Sequence, residues 1–529
     1  MENKVLVIGI DGATWDLLDP WIEKNELPVL GRLKKRGCYG TLNSCEPSFT
    51  IPAWNVIFSG KNPAKIGAFY MLSKVPGEYK FEPYFLQKYE KHALWDDLKN
   101  KKIILANIPS IHEPYKINGE MVLGWLYKDK DKITYPENLK TELDRLVSGY
   151  EIDVLQVRGM RENNEGWNIL PESKLVQIAD RVLAKQTKVF KYLLKKEWDF
   201  SAILFSTPDR LQHRIFNKKF GDKDNQILLA HYKLIDEAIG EIICQSSGDI
   251  DFFIISDHGF GARNHTFNLN QWLLKERYLV INKKKSFGFL RFINFLRSHK
   301  LTKPFVGFLY LFVPRKVKSF IVDKTMTLKL DGAEINWQKT SAFSLGKAGE
   351  IFINLKNRED KGIVSKEDYD KLRNEIIHKL RSIENPDGKG KLINKVFKRE
   401  EIYDGPYASA FPDLLIDLDD DVQAFDEKLG HKDIVSPSVG GDHRKNGIFL
   451  AFGPNIKQDF QIKDASILDI TPTILSIFDL PIDKDIDGKI IDKIFINSHN
   501  NKKEISKQQV SQKAKICQTI KKLKKAHKI

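Results

Sequence analysis

The chain reads Phe252-Phe253-Ile254-Ile255-Ser256-Asp257-His258-Gly259-Phe260, four apolar residues that run straight into three carrying chemistry. A short continuous apolar run of this kind fits a strand buried on both faces. The arrangement recurs where residues 5–10 meet Asp11-Gly12, and where 202–205 meet Ser206-Thr207-Pro208-Asp209. Segments 102–106, 414–417 and 448–452 are further candidate strands, and stretches such as 173–195 and 226–244 carry helical periodicity. This alternation predicts an α/β architecture with buried strands. Ligands of open α/β sheets bind at the carboxyl ends of strands, so Asp11, Asp209, Asp257 and His258 fall where a site belongs.

Composition and charge narrow the classes. At 529 residues, with 42% hydrophobic and 29% charged side chains, the chain has ample material for a core, which excludes a disordered or collagen-like protein. The net charge of +15 suggests a binder of nucleic acid or acidic membranes until it is located. Residues 283–318 hold +10 and residues 499–529 hold +9, which leaves the remainder at −4. Cys38, Cys45, Cys244 and Cys517 have no Cys-x-x-Cys spacing, so neither a disulfide framework nor a cysteine zinc site is expected. The apolar run at 5–10 is too short for a signal peptide, and 305–313 falls short of the ~20 residues that span a bilayer. A soluble cytoplasmic protein is expected.

Four separated patches supply metal-type ligands: Asp11, Asp209 with His213, Asp257 with His258, and His443 within Gly440-Gly441-Asp442-His443-Arg444. Asp209 and His213 are four apart and share one face of a helical turn. Carboxylates with neutral imidazoles are a donor set for Zn²⁺, with Mn²⁺ and Fe²⁺ as alternatives. Each patch alone reads equally as a cap, turn or surface pair. Their co-occurrence on an α/β rhythm favours the metal reading. A fifth patch, Pro47-Ser48-Phe49-Thr50-Ile51-Pro52-Ala53-Trp54, sets a hydroxyl at a helix start, where unpaired N–H groups favour an anion and where Thr50 could equally be a simple cap.

In this order, Asp11, Thr50, Asp209/His213, Asp257/His258 and His443 resemble the alkaline phosphatase superfamily, in its type I phosphodiesterase/nucleotide pyrophosphatase branch of predicted phosphohydrolases and phosphomutases. Supporting pieces include Asn270-Gln271-Trp272-Leu273, Phe411-Pro412-Asp413 and Asp469-Ile470-Thr471-Pro472-Thr473. The resemblance implies an α/β/α sandwich with a central, mostly parallel sheet and an inserted cap region. It implies two divalent metals, typically zinc, one held by Asp209, His213 and His443 and the other by Asp11, Asp257 and His258 with Thr50 close by. Thr50 would be the nucleophile, forming a phospho-threonine whose hydrolysis retains configuration at phosphorus.

The chain departs from that branch after Thr50. It reads Pro52-Ala53-Trp54 where Pro-Asn-His is usual, Ile66-Gly67 where His-Gly is usual, and Ala68-Phe69-Tyr70-Met71 where an Asn follows. Trp54, Asn55 and Arg444 are therefore candidate substrate contacts. The expected activity is hydrolysis of a small-molecule phosphate mono- or diester. The alternatives are a phosphomutase on a small phosphorylated metabolite and a non-catalytic membrane-associated binding protein on the same fold. A sulfatase is disfavoured because there is no Cys-x-Pro-x-Arg motif.

The expected organisation is a core from 1–262 with an insertion at about 110–170, a cap region at 263–410, the last part of the core at 411–497 and a basic tail at 498–529. Within 283–318, Phe287, Phe289, Leu290, Phe292, Ile293, Phe295 and Leu296 leave Arg291, Asn294 and Arg297 on a polar stripe. That pattern fits a buried cap helix first and peripheral contact with an anionic membrane second. The tail sets Ile516, Ile520 and Leu523 among lysines, which suggests a solvated extension first and weak contact with an anionic membrane or nucleic acid second. Neither segment interleaves aromatics with base-reading groups, so sequence-specific nucleic-acid recognition is not expected.

Overall fold

Apolar runs at the strand positions assemble into one sheet of nine strands among the described residues of a computed structural model. Those residues are 3–84, 93–154, 171–216, 223–246, 248–282, 334–386, 388, 390–419, 424–426, 429 and 431–496. The basic segment at 283–318 and the tail at 499–529 lie outside them. The strands are β1 (Lys4–Ile10), β2 (Cys38–Asn43), β3 (Ile103–Ile108), β4 (Gly119–Leu123), β5 (Thr134–Tyr135), β6 (Phe200–Phe205), β7 (Ile250–Ile255), β8 (Asn446–Phe452) and β9 (Phe460–Ser466). Their order is β9-β2-β8-β7-β1-β6-β3-β4-β5.

The centre of the sheet is parallel. β1 runs between β6 and β7, with Ile8 opposite Ile203 and Ile254. β3 is parallel to β6 and β4, and β2 to β9. Only β8 and the edge strand β5 run against their neighbours. β3, β6 and β7 are buried at every position, as continuous apolar runs require when helices cover both faces.

On one face Leu6, Ile8 and Ile10 pack with α1 (Trp15–Glu23), α2 (Pro28–Arg36), α4 (Glu172–Leu193) and α6 (Lys223–Gln245). On the other, α3 (Thr50–Ser59) lies against Gly9 and is tied to α7 (Ile470–Ile477) by the Thr471 hydroxyl, which donates to Ile57 O at 2.7 Å. No helix among the described residues is long and apolar enough to cross a membrane.

Two compact units divide the chain. The first takes the described residues within 1–68, 84–262 and 440–529, and the second those within 69–83 and 263–439. The second unit thus runs past the limit of 410 expected from the sequence. Leu414–Leu418, read as a core strand, pairs here with Glu350–Ile353 and Ile393–Lys398 in a four-stranded antiparallel sheet. Ile376 and Leu380 of the helix Lys366–Arg381 pack into its core. Part of the stretch read as an insertion at 110–170 instead extends the main sheet as β4 and β5.

Candidate active site

Three adjacent parallel strands end at one place. Asp11 follows β1, Asp257-His258 follows β7, and α5 (Thr207–Ile215) follows β6 with Asp209 and His213 one turn apart. The main chain fixes the first of these, because Asp11 N–H donates to Phe205 O at 3.0 Å. Gly12 takes φ +70, donates its N–H to Asp257 Oδ1 at 3.2 Å and accepts from Gln212 Nε2 at 3.0 Å. His443, expected in a loop, sits in a short strand. Gly441–Arg444 pairs antiparallel with Gly259–Ala262, which puts His443 opposite Phe260 and stacks its ring on His258 at 3.8 Å.

The donors fall into two clusters, Asp209 with His213 and His443, and Asp11 with Asp257 and His258. Within each, the ligand atoms lie within 4.8 Å of one another. The imidazoles are pre-aligned by main-chain carbonyls: Nδ1 of His258 lies 2.9 Å from Gly259 O, that of His443 3.0 Å from Ser48 O, and that of His213 3.3 Å from Gly441 O. A carbonyl only accepts, so each Nδ1 donates to its carbonyl and each ring turns its Nε2 inward. Nε2 of His213 and His443 then face each other at 3.0 Å, with Asp209 Oδ1 3.2 Å from His443 Nε2. Nitrogen and carboxylate oxygen atoms this close repel unless a proton or a metal cation lies among them.

The carboxylates give the same result. Asp11 Oδ1 and Oδ2, Asp209 Oδ1 and Asp257 Oδ2 are buried without a hydrogen bond, which is costly for charged groups. Burial, then repulsion from Asp257 and Asp209, pushes the Asp11 carboxyl well above the usual carboxylate range. Burial and Asp209 do the same to Asp257. Asp209 goes the other way: burial raises it, but His213 and His443 outweigh that and hold it well below. His258 is pushed down by burial and by His443, so it stays neutral. The pocket is short of positive charge, and its donor chemistry fits divalent cations.

Thr50 is the first residue of α3, and its Oγ1 lies 3.3 Å from His258 Nε2. The helix is capped by Phe49 without a side-chain hydrogen bond, so the hydroxyl is not used as a cap. The other predicted contacts do not join it. Trp54 is buried against Gly9, and Asn55 Nδ2 donates inward to Ile51 O at 2.6 Å and Ser110 Oγ at 2.7 Å. Both follow Thr50 by about one helical turn and point into the packed side of α3. Arg444 donates to the carbonyls of Asp442, His443 and Ala262, bracing the hairpin that carries His443.

Sequence reasoning missed Arg210 and Asp153. Arg210 lies beside Asp209, with Nη1 3.3 Å from Asp209 Oδ2 and Nε 3.4 Å from Asp153 Oδ2. Burial works against its charge, but Asp153, Asp209 and Asp11 prevail and raise its pKa. The available signal was a basic residue inside an otherwise buried helical turn.

A mostly parallel α/β sheet that sets a hydroxyl beside two carboxylate–imidazole clusters defines the class of protein as a candidate metallohydrolase. The family model described as type I phosphodiesterase/nucleotide pyrophosphatase matches residues 5–445, and the chain belongs to that family of phosphoester hydrolases within the alkaline phosphatase superfamily. Its enzymes normally bind divalent metals, for which the two clusters are the candidate holders.

Human ectonucleotide pyrophosphatase/phosphodiesterase 5 is 14% identical over 94% of this chain and 100% of that one, with a TM-score of 0.50. The murine protein is 13% identical over 90% and 96%, with a TM-score of 0.48. An inactive threonine-to-alanine form of it in complex with AMP is 12% identical over 91% and 96%, also at 0.48. No curated protein sequence matches the chain. At these identities the human structure speaks for the alkaline-phosphatase-like fold.

Proposed function

We propose that the chain hydrolyses a small-molecule phosphate mono- or diester with two divalent metals and a phospho-Thr50 intermediate. The observation that carries this reading is the meeting of two three-donor clusters with the Thr50 hydroxyl at 3.3 Å from one of their ligands. Asp209, His213 and His443 would hold one ion, and Asp11, Asp257 and His258 the other. The oxygen and imidazole donors favour Zn²⁺, with Mn²⁺ next. When bound, such a pair supplies Lewis-acid stabilisation of the attacking and leaving oxygens.

The chain's own residues do the rest. Thr50 Oγ1 gives its proton to solvent and forms a bond to phosphorus as the ester oxygen leaves with its electron pair and takes up a proton. Water then attacks phosphorus, losing a proton, and the Oγ1–phosphorus bond breaks as Thr50 regains one. Two in-line displacements retain configuration. The carbonyls of Gly259, Ser48 and Gly441 keep the imidazoles in the ligating tautomer. Thr50, Asp11, Asp257 and His258 are all buried, which limits competing solvent around the reacting group.

The test is Thr50→Ala. It should abolish turnover of a nitrophenyl phosphoester while metal content stays at the wild-type level. Full activity in that variant would remove Thr50 from the reaction. Assaying phosphomonoesters and phosphodiesters in parallel, each with Zn²⁺ and Mn²⁺, identifies the ester class.

A further inference from the structure

Arg210 is only 9% exposed, and its Nε and Nη1 are engaged by Asp153 and Asp209. Its Cζ lies 4.6 Å from the centroid of the Trp125 ring. Nη2 is buried without a hydrogen-bond partner, and so is the indole Nε1 of Trp125. Buried donors are nearly always paired, and a stranded donor on a charged group is the costliest kind. Two such donors on neighbouring side chains, beside a residue of the candidate metal site, indicate an acceptor of negative charge.

The surroundings hold these donors in place. Asp153 also accepts from Ser206 Oγ at 2.8 Å, which braces the carboxylate that orients Arg210. Trp125 O accepts from Ser110 N–H at 3.1 Å, and Ser110 Oγ accepts from Asn55 on the helix that begins with Thr50. The stacked pair is therefore linked by hydrogen bonds to the element that carries the reactive hydroxyl. Leu126, next to Trp125, adopts φ +63, a region leucine rarely enters.

We propose that Arg210 Nη2 and Trp125 Nε1 together bind a non-bridging oxygen of the substrate's phosphoryl group, making both substrate-binding residues. The assignment rests on the phosphoester reading of the same site. Guanidinium suits the task because carboxylates can pin Nε and Nη1 of its rigid plane while Nη2 still donates to a phosphate. A lysine ammonium keeps the charge but cannot do both from one fixed plane.

Inorganic phosphate is the probe, titrated calorimetrically into full-length Zn²⁺-loaded protein. Arg210→Lys keeps the charge and Trp125→Phe keeps the ring. Each should weaken phosphate binding, Arg210→Lys by roughly tenfold to a hundredfold, with metal content unchanged. Each should also raise KM for a nitrophenyl phosphoester. Wild-type phosphate affinity in Arg210→Lys, or no phosphate binding by the wild-type protein, would overturn the proposal. If Arg210→Lys fails to fold or loses metal, Trp125→Phe decides, and unchanged affinity there overturns it. Arg210-dependent phosphate binding without hydrolysis of any ester would overturn the hydrolytic reading and leave this assignment standing. Hydrolysis untouched by either variant would do the reverse.

Discussion

Gly9 and Trp54 claim the same space: a Cβ on Gly9 would lie 2.4 Å from Trp54 Cη2 and 3.1 Å from two further ring atoms. Gly9 stands two residues before Asp11 on β1, and Trp54 one helical turn after Thr50 on α3. The absent side chain lets the helix close onto the strand, and that approach sets the Thr50 hydroxyl beside the candidate ligands at the strand end.

Gly9→Ala should therefore push the indole and its helix away. Overpacking of this kind costs about 1–3 kcal/mol, and catalysis should fall further than stability because Thr50 moves with the helix. Adding Trp54→Phe to Gly9→Ala should recover part of both losses by shortening the opposing ring. Chemical denaturation and ester turnover measured on wild type, Gly9→Ala and the double variant check this, and unchanged values in Gly9→Ala would show that the helix has room to spare.

Chelation of divalent ions should lower the melting temperature of the wild-type protein. Asp11 Oδ1 and Oδ2, Asp209 Oδ1 and Asp257 Oδ2 then stand close together without a hydrogen bond, three buried carboxyl groups beside the guanidinium of Arg210. Restoring Zn²⁺ at a hundred times its dissociation constant should return about 2.7 kcal/mol per site by mass action. Asp257→Asn should shrink that response. A melting temperature indifferent to chelator and metal in both proteins would contradict the two-cluster reading.

Much of this site was legible because its candidate ligands sit at strand ends or one helical turn apart. Asp209 and His213 are a local pattern, and Asp257-His258 follows its apolar run directly. His443 is different, since only antiparallel pairing of Gly441–Arg444 with Gly259–Ala262 brings it near His258. No local periodicity encodes that pairing: the residues offered His443 only as one ligand-type patch among four, and its grouping with Asp209 and His213 came from the resemblance. Leu414–Leu418 shows the same limit from the other side: its apolar run marks a strand, but only its partners reveal which sheet it joins. β2 and β9 escaped notice because Gly40 and the polar residues Gln461, Lys463 and Asp464 interrupt the apolar signal. Trp54 and Asn55 were misplaced because proximity in sequence to Thr50 says nothing of which side of α3 faces the sheet.

In the second unit, Asp413 should be a stability determinant with no part in the chemistry. It is fully buried and accepts from Arg358 Nη1 and Nη2 at 2.6 Å each, from Arg399 Nη1 at 3.1 Å, from the Tyr369 hydroxyl at 2.5 Å and from Ile353 N–H at 2.6 Å. Burial raises its pKa, but Arg358 and Arg399 outweigh that and hold the carboxyl below the usual range. Asp413→Ala leaves two guanidinium groups without their common partner, a loss of about 3–5 kcal/mol for a broken buried pair. Limited proteolysis should then cut first within 334–426. Resistance equal to wild type would show that Arg358 and Arg399 find other acceptors.

Asp236 on α6 should make stability fall as pH rises from about 4 to about 7. Its carboxylate is buried and accepts from the N–H groups of Val29 and Leu30 at 2.9 and 2.7 Å. Burial raises its pKa to about 7 against the lowering effect of those two bonds, whereas an unfolded aspartate titrates near ~3.9. A raised folded pKa means the native state holds the proton more tightly. The stabilisation is complete below the unfolded pKa and is lost as pH climbs through the folded one. Relative to Asp236→Asn, which cannot ionise, the wild-type protein should lose on the order of 3–4 kcal/mol of unfolding free energy across that window. Denaturant titrations of both proteins at pH 4, 5, 6 and 7 measure the difference. A difference that stays constant would mean that the two N–H donors at the start of α2 are enough to keep Asp236 ionised throughout.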